Sequence, residues 1–241
     1  MRLKVINSNS LGNCYILEND QEALIIECGV QFPRIKQALN FNTKKVVGCI
    51  LTHCHGDHAF AVKDVIKAGI NIAMSKGTAE ALHVDEEHRV KIISSLKGVT
   101  FGGFTILPFD VEHDVPEPLG FLIRHADTGT VLFLTDTFYV KHTFPPLNNI
   151  IIECNYAQDI IDKSSRKFLR DRVIESHMNL ETCKQTLMAN DLTKVNNIVL
   201  IHLSDSNSDA KRFKREVQEQ TGKCVTVAEP GLNIPFTINP F

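Results

Sequence analysis

The stretch LTHCHGDHAF, residues 51–60, sets His53, His55, Asp57 and His58 within six positions directly after the apolar run VVGCI. In an extended segment leaving a strand, residues two apart point the same way, so His53 and His55 can offer their imidazoles to one ion. Gly56 permits a tight reversal, after which Asp57 and His58 emerge at a helix start, aimed differently and suited to a second ion. A purely structural reading would make these four residues polar groups at a strand-to-helix turn, with Asp57 capping the helix. Their density argues against it: histidines crowded at one turn repel on protonation unless something such as a metal holds them neutral. The spacing His-x-His-x-Asp-His therefore predicts metal binding.

Further ligands stand where predicted strands end. His113 lies in FDVEHDVPEPLGF, Asp136 ends VLFLTD, and His202 ends the run VNNIVLIH. Neutral imidazoles with carboxylates favour zinc, and manganese or iron also suits such N/O sites. His83, His88, His125 and His142 lack ligand spacing and read as structural or surface residues.

Around these positions the chain alternates strands and helices. LKVIN, CYIL, ALIIECG and VVGCILT are short β-rich runs, with a helical PRIKQALN between the last two. FAVKDVIKAG reads as a helix closed by Gly69, followed by a strand INIAM. VTFGGFTILPF, LGFLIRHA, TVLFLTD, NNIIIECN and VNNIVLIHLS are the later strands. Asn179 is a candidate N-cap for a helix with Leu180, Cys183, Leu187 and Met188 as its apolar stripe, and DAKRFKREVQEQ is a helix with Ala210, Phe213 and Val217 buried. Two halves of strands and helices predict two sheets face to face with helices outside, in one domain spanning 1–241.

The 241 residues are 43% hydrophobic and 22% charged with a net charge of −2, so there is no overall basic excess and any nucleic-acid contact must be a local patch. The N-terminus carries no apolar signal-peptide core and no run reaches the length of a membrane span, which predicts a cytoplasmic protein without membrane contact. Seven scattered cysteines with no C-x-x-C suit reduced core thiols, leaving histidine to carry the metal.

The order of these ligands closely resembles the metallo-β-lactamase superfamily, and the resemblance runs from SLGNCYIL to VAEPGLNI. It implies an αββα sandwich in the α/β class. It also implies that His53, His55 and His113 hold one divalent ion, that Asp57, His58 and His202 hold a second, and that Asp136 bridges both. The motif is specific for the fold and says little about substrate. ESHMNLETCKQTLMAN is similar to the element before a helix in the phosphodiesterase branch, which includes tRNase Z and the small YycJ/WalJ-like DNA exonucleases. There a histidine contacts the scissile phosphate, and here that residue is His177; by residue type alone it is a surface-loop histidine. LTDTFYV, IIIECN, IHLSDSNSDA and SNSLGNCYIL are similar to the exonuclease group. Three positions depart from the pattern: Glu27 stands for Asp, Tyr156 for a histidine and Ser176 for glycine. The chain has no room for the inserted β-CASP domain of RNA-processing relatives and no arm of the tRNase Z kind.

The chemistry implied is hydrolysis of a phosphodiester by a hydroxide bridging two metal ions, with Asp57 and Asp136 orienting it and His177 donating a proton or hydrogen bond to the phosphate or leaving oxygen. DNA is the leading substrate, with a cyclic nucleotide or another small phosphodiester as an alternative. A lactonase or thioesterase of the same fold is the rival from another reaction class, and His177 argues against it. The basic stretches SSRKFLRDR before His177 and KRFKR in the late helix are candidates for gripping phosphates, though solvated helix faces explain them equally well.

Overall fold

The computed structural model describes residues 1–162 and 167–239. Several segments, among them ALII, NIIIE and NIVLI, are unbroken apolar runs rather than alternating ones, and a strand of that kind must be covered on both faces. The described residues meet that demand with two seven-stranded sheets packed face to face and helices on both outer surfaces, the αββα sandwich expected from the sequence.

In chain order the first half gives β1 (Arg2–Asn9), β2 (Gly12–Glu18), β3 (Ala23–Ile26), α1 (Phe32–Ala38), β4 (Val46–Ile50), α2 (Gly56–Ala59), α3 (Val62–Lys67), β5 (Ile72–Ser75), α4 (Lys76–Ala81) and β6 (Val90–Ile93). The second gives β7 (Val99–Phe101), β8 (Phe104–Asp110), β9 (Leu119–His125), β10 (Gly129–Leu134), β11 (Asn149–Glu153), α5 (Gln158–Ile161), α6 (Lys167–Ser176), α7 (Leu180–Met188), β12 (Asn197–Ile201), α8 (Ala210–Thr221) and β13 (Cys224–Val227). The last strand, β14 (Asn233–Pro235), returns to pair with β1, so the sheets run β14-β1-β2-β3-β4-β5-β6 and β13-β12-β11-β10-β9-β8-β7.

Leu17, Tyr15, Phe121, Phe133, Ile151 and Val199 fill the space between the sheets. Outside the first sheet, Ile35, Val62 and Val65 seal α1 and α3; outside the second, Leu180, Cys183, Leu187, Phe213 and Val217 seal α7 and α8. Two stripe positions expected to be covered are not. Met188 is 51% exposed at the end of α7, and Ala210 is exposed as the first residue of α8, because each lies in a terminal turn beyond the reach of the sheet. Five of the seven thiols are buried, while Cys54 is half-buried and Cys224 exposed. No helix among the described residues is long and apolar enough to cross a membrane.

The topology fixes where chemistry can occur. β3, β4 and β5 are mutually parallel, as are β10, β11, β12 and β13, and the C-terminal ends of parallel strands open onto loops along one edge of a sandwich. Glu27 follows β3, His53 and His55 follow β4, Asp136 follows β10, Glu153 ends β11 and His202 follows β12.

Candidate metal centre

After β4 the chain bends at Thr52 and runs outside any regular element to His55, whose backbone is extended, and α2 begins at Gly56. The paired imidazoles predicted from the two-residue spacing meet: His53 Nε2 and His55 Nδ1 are 3.2 Å apart. His113, in the loop after β8, puts its Nε2 3.2 Å from His55 Nδ1, and Asp136 Oδ2 lies 3.2 Å from His53 Nε2. Donors at about 2.0–2.1 Å from a tetrahedral ion stand roughly 3.3 Å apart, so these four atoms have the separations of a ligand cage. A second group, Asp57, His58, Asp136 and His202, also gathers one donor atom each within 4.8 Å. In it, His58 Nε2 lies 2.8 Å from Asp136 Oδ2, and both His58 Nε2 and His202 Nε2 lie 3.5 Å from Asp57 Oδ2.

The imidazoles are also oriented from behind. His53 Nδ1 meets the Thr52 hydroxyl at 2.9 Å, His58 Nδ1 faces Glu27 Oε2 at 3.3 Å without a hydrogen bond, and His202 Nδ1 lies 2.6 Å from Asp136 Oδ1 and 3.0 Å from Glu153 Oε1. His53 and His58 thus turn Nδ1 to an oxygen behind the ring and Nε2 toward Asp136, an arrangement that sets ring direction in metal sites. His202 Nε2 is buried and has no hydrogen-bond partner among the described residues, so a cation at this point would satisfy it. The residues present fit divalent ions.

Three of the eight non-glycine residues with positive φ among the described residues lie at the cluster. Glu27, Asp136 and His202 adopt φ of 61°, 47° and 53°, the left-handed region that costs a residue with a Cβ. Each follows a strand, and the reversal turns its side chain back over the strand end. The glycine on which the loop depends is not the one expected. Gly56 has an ordinary φ and open space around it, so the turn does not depend on its conformational freedom. Gly29 is the constrained position: a Cβ there would come 1.7 Å from the Asp57 carbonyl oxygen and 2.8 Å from the Asn13 nitrogen. Nor does Asp57 cap α2. The cap position is His55, with no side-chain bond to the helix, which leaves the Asp57 carboxylate to the cluster.

His177 follows α6 directly, just before Asn179, whose side chain caps α7 by accepting from Thr182 N at 2.8 Å. Its side chain is 19% exposed and its Nδ1 is held by Glu153 Oε1 at 2.7 Å and stands 3.5 Å from Asp136 Oδ1. Nδ1 is committed, so Nε2 is the nitrogen free to meet a substrate. The sequence reading passed over Glu153. It ends an otherwise apolar strand between two strands that lead to Asp136 and His202, and that position was the available signal. Fully buried, it contacts His177 and His202 and accepts from the backbone N–H of Thr137 and Met178. Asn13 was also missed; its amide lies 3.1 Å from His58 Nε2. Ser8 Oγ accepts from His202 N at 2.9 Å and bonds the Tyr15 hydroxyl, so the first hairpin braces the last histidine.

The three departures from the family pattern have plain structural accounts. Glu27 spans from Thr52 N, at 3.1 Å, to His58. Tyr156 is buried, with Asn179 alongside it, and Ser176 lies within α6, where no glycine conformation is needed. The basic stretch at 164–172 lies outside the described residues over 164–166.

Electrostatically the cluster is starved of positive charge. Among the described residues, Glu27, Asp57, Asp136 and Glu153 form ion pairs with imidazoles alone. Burial works against charging His58 and His202, yet Asp136 beside them outweighs it and holds both well above the ordinary histidine range. His177 is likewise pushed up to about 9, burial being overcome by the Glu153 carboxylate. His113, half-buried among other imidazoles, is pushed down by burial to about 4.

A family model described as the metallo-β-lactamase superfamily matches residues 9–171. The exodeoxyribonuclease WalJ of Streptococcus pneumoniae serotype 2 is 26% identical over 255 aligned residues, covering 98% of this chain and 93% of that protein. The exodeoxyribonuclease YycJ of Bacillus anthracis is 27% identical, covering 91% of this chain and 88% of that one. Among solved structures, the metallo-β-lactamase fold protein YhfI of Bacillus subtilis superposes with a TM-score of 0.74 at 18% identity, over 96% of this chain and 98% of that one.

Proposed function

The chain belongs to the metallo-β-lactamase superfamily, and from that premise we propose that it is a phosphodiesterase acting on nucleic acid, of the exodeoxyribonuclease kind named in its relatives. The observation that carries the reading is the Glu153–His177 pair at the rim of the ligand cluster, a fixed imidazole beside the place where a substrate would lie. A phosphodiester expels an alkoxide, which needs a proton, whereas a thioester expels a thiolate, which has less use for such a group; a lactone also expels an alkoxide and is separated by the substrate panel below.

In this reading His53, His55, His113 and Asp136 hold one divalent ion, and Asp57, His58, Asp136 and His202 hold a second. Among the described residues the four carboxylates Glu27, Asp57, Asp136 and Glu153 pair with no Lys or Arg, which leaves their charge to be offset by imidazolium groups or by bound dications. The N/O donor set suits zinc, and manganese as well. When bound, such ions supply Lewis acidity to a phosphoryl oxygen and lower the pKa of a water nucleophile. Asp57 and Asp136 accept hydrogen bonds from the attacking water and aim its lone pair at phosphorus. Glu153 fixes the His177 ring through Nδ1, and Nε2 then donates to the phosphate or the departing oxygen. Glu27 and Thr52 keep His58 and His53 turned inward.

The test is an activity panel on the full chain supplemented with zinc or manganese. It compares DNA and RNA oligonucleotides, cyclic nucleotides, lactones and thioesters. Release of nucleotides from DNA is expected; turnover of lactones or thioesters with inert oligonucleotides would overturn the reading.

A further inference from the structure

Helix α8 carries its cations in two different states. On the flank facing α7, Arg212 is held by Asp159 at 2.7 Å and Glu216 at 2.7 Å, and Lys184 of α7 reaches the same Glu216 at 3.3 Å. Those charges are neutralised. On the other flank Lys211, Lys214 and Arg215 are exposed, and among the described residues Lys211 and Lys214 form no ion pair, while Arg215 has Glu219 at 4.0 Å.

These three side chains and Lys223 line a groove of about 850 Å³ between α8 and β13. Past Lys211, Lys214 and Thr226 it continues into a hollow of about 480 Å³ bounded by Glu229 and Leu232. Four cations therefore line it against two carboxylates, Glu219 and Glu229, with the Lys223 ammonium also donating to the Thr193 carbonyl at 3.3 Å. β13 is the edge of its sheet, with β12 as its partner, so outward backbone N–H groups add donors to the same wall.

The register ties this groove to the ligand cluster. Leu200 of β12 lies opposite Val227 of β13, and His202 follows β12. The Val227 end of β13 and the start of α8 therefore stand at the ligand-bearing edge. From there α8 descends for its 12 residues, about 18 Å at 1.5 Å per residue, to Gly222 at the opposite edge. A B-form strand places a phosphate about every 3.4 Å of axis, so the groove matches about five phosphates.

We propose that the α8–β13 groove is a binding track for the sugar–phosphate backbone of a polynucleotide whose scissile bond lies at the ligand cluster. The proposal rests on the phosphodiesterase reading and extends it: a cyclic nucleotide would leave this groove without an occupant. An acidic polypeptide would match the charge, but nothing would explain why the groove begins at the ligand-bearing edge.

The experiment measures binding of the metal-replete full chain to a labelled, hydrolysis-resistant phosphorothioate 20-mer by fluorescence anisotropy, over a series of salt concentrations. Lys211→Glu/Lys214→Glu is compared with the neutral Lys211→Gln/Lys214→Gln and with Lys63→Glu/Lys67→Glu on α3, which makes the same change in net charge elsewhere. The groove reversal should weaken binding roughly 10- to 100-fold at low salt and flatten the log–log salt slope by about 1–2, with the neutral pair intermediate. The α3 pair should shift affinity less than about threefold. Equal losses in the α3 and groove variants would overturn the track, as would displacement of the 20-mer by polyglutamate as readily as by unlabelled oligonucleotide. The two readings fail separately. Hydrolysis of ordinary DNA with groove variants binding like the wild type removes the track alone, whereas the expected binding pattern with inert DNA removes the phosphodiesterase.

Discussion

If His177 passes a proton to the leaving oxygen, His177→Ala should keep fold and metal but lose roughly 10²–10⁴-fold in turnover on a natural phosphodiester. On a p-nitrophenyl ester, whose phenolate leaves without help, the loss should shrink; equal activity on both substrates would return His177 to the surface. Glu153 acts through His177, so Glu153→Gln should show the same dependence on leaving group, and the double variant should be no worse than His177→Ala alone. Additive losses would mean that Glu153 serves the cluster mainly through His202, which it also touches. The carboxylates nearest the donors make a different demand. Asp57→Ala and Asp136→Asn should each abolish hydrolysis in a folded chain, asparagine being chosen because it tolerates the φ of 47° at position 136. Near-normal turnover in either would contradict their assignment.

At the scale of elements, the approach of β3's exit to α2 depends on a missing side chain. Gly29→Ala would drive a Cβ into the Asp57 carbonyl, so the variant should bind less metal and melt lower. Gly56→Ala is the matched control: with open space and an ordinary φ, it should hold its metal and gain up to about 1 kcal/mol from a stiffer unfolded chain. Metal titration and thermal melts on both decide it, and the opposite ranking would refute the packing argument. On the opposite edge of the sheet, Glu18 at the end of β2 ties Lys4 of β1 at 2.5 Å and Lys45 before β4 at 2.8 Å. Burial would raise its carboxyl, but the two ammonium groups hold it below the ordinary range. That contribution is present above the unfolded value of about 4.3 and is lost as pH falls through the lowered folded value. Glu18→Gln should therefore lower the urea midpoint at pH 7, with the gap closing in acid; a constant gap would exclude the charge as the cause.

For the whole molecule, the legible features were those written in local pattern: unbroken apolar runs for covered strands, and His-x-His-x-Asp-His for a turn whose side chains gather within reach of one another. Glu153 was hidden because one carboxylate at a strand end acquires meaning only when β10 and β12 close on either side of it. Gly29 was hidden for a similar reason, since its crowding comes from Asp57, which is 28 positions away in the chain. The exposed Met188 and Ala210 show that a stripe read from spacing has no knowledge of where the supporting sheet stops. The same long-range closure sets the last prediction. Each ligand group draws on both sheets, His53, His55, Asp57 and His58 from the first, His113, Asp136 and His202 from the second, so an ion in either group clips the layers together. Such an ion binds the folded chain and not the unfolded one, and linkage then makes stability depend on free metal. At 100 times Kd each site adds about 2.7 kcal/mol. In a chain of this size that raises Tm by roughly 5–10 °C per site. Chelation should lower Tm by a corresponding amount, zinc or manganese should restore it, and metal analysis of the restored protein should approach two equivalents. A Tm indifferent to chelator, together with a metal content near zero, would remove the metal centre and the hydrolytic reading with it.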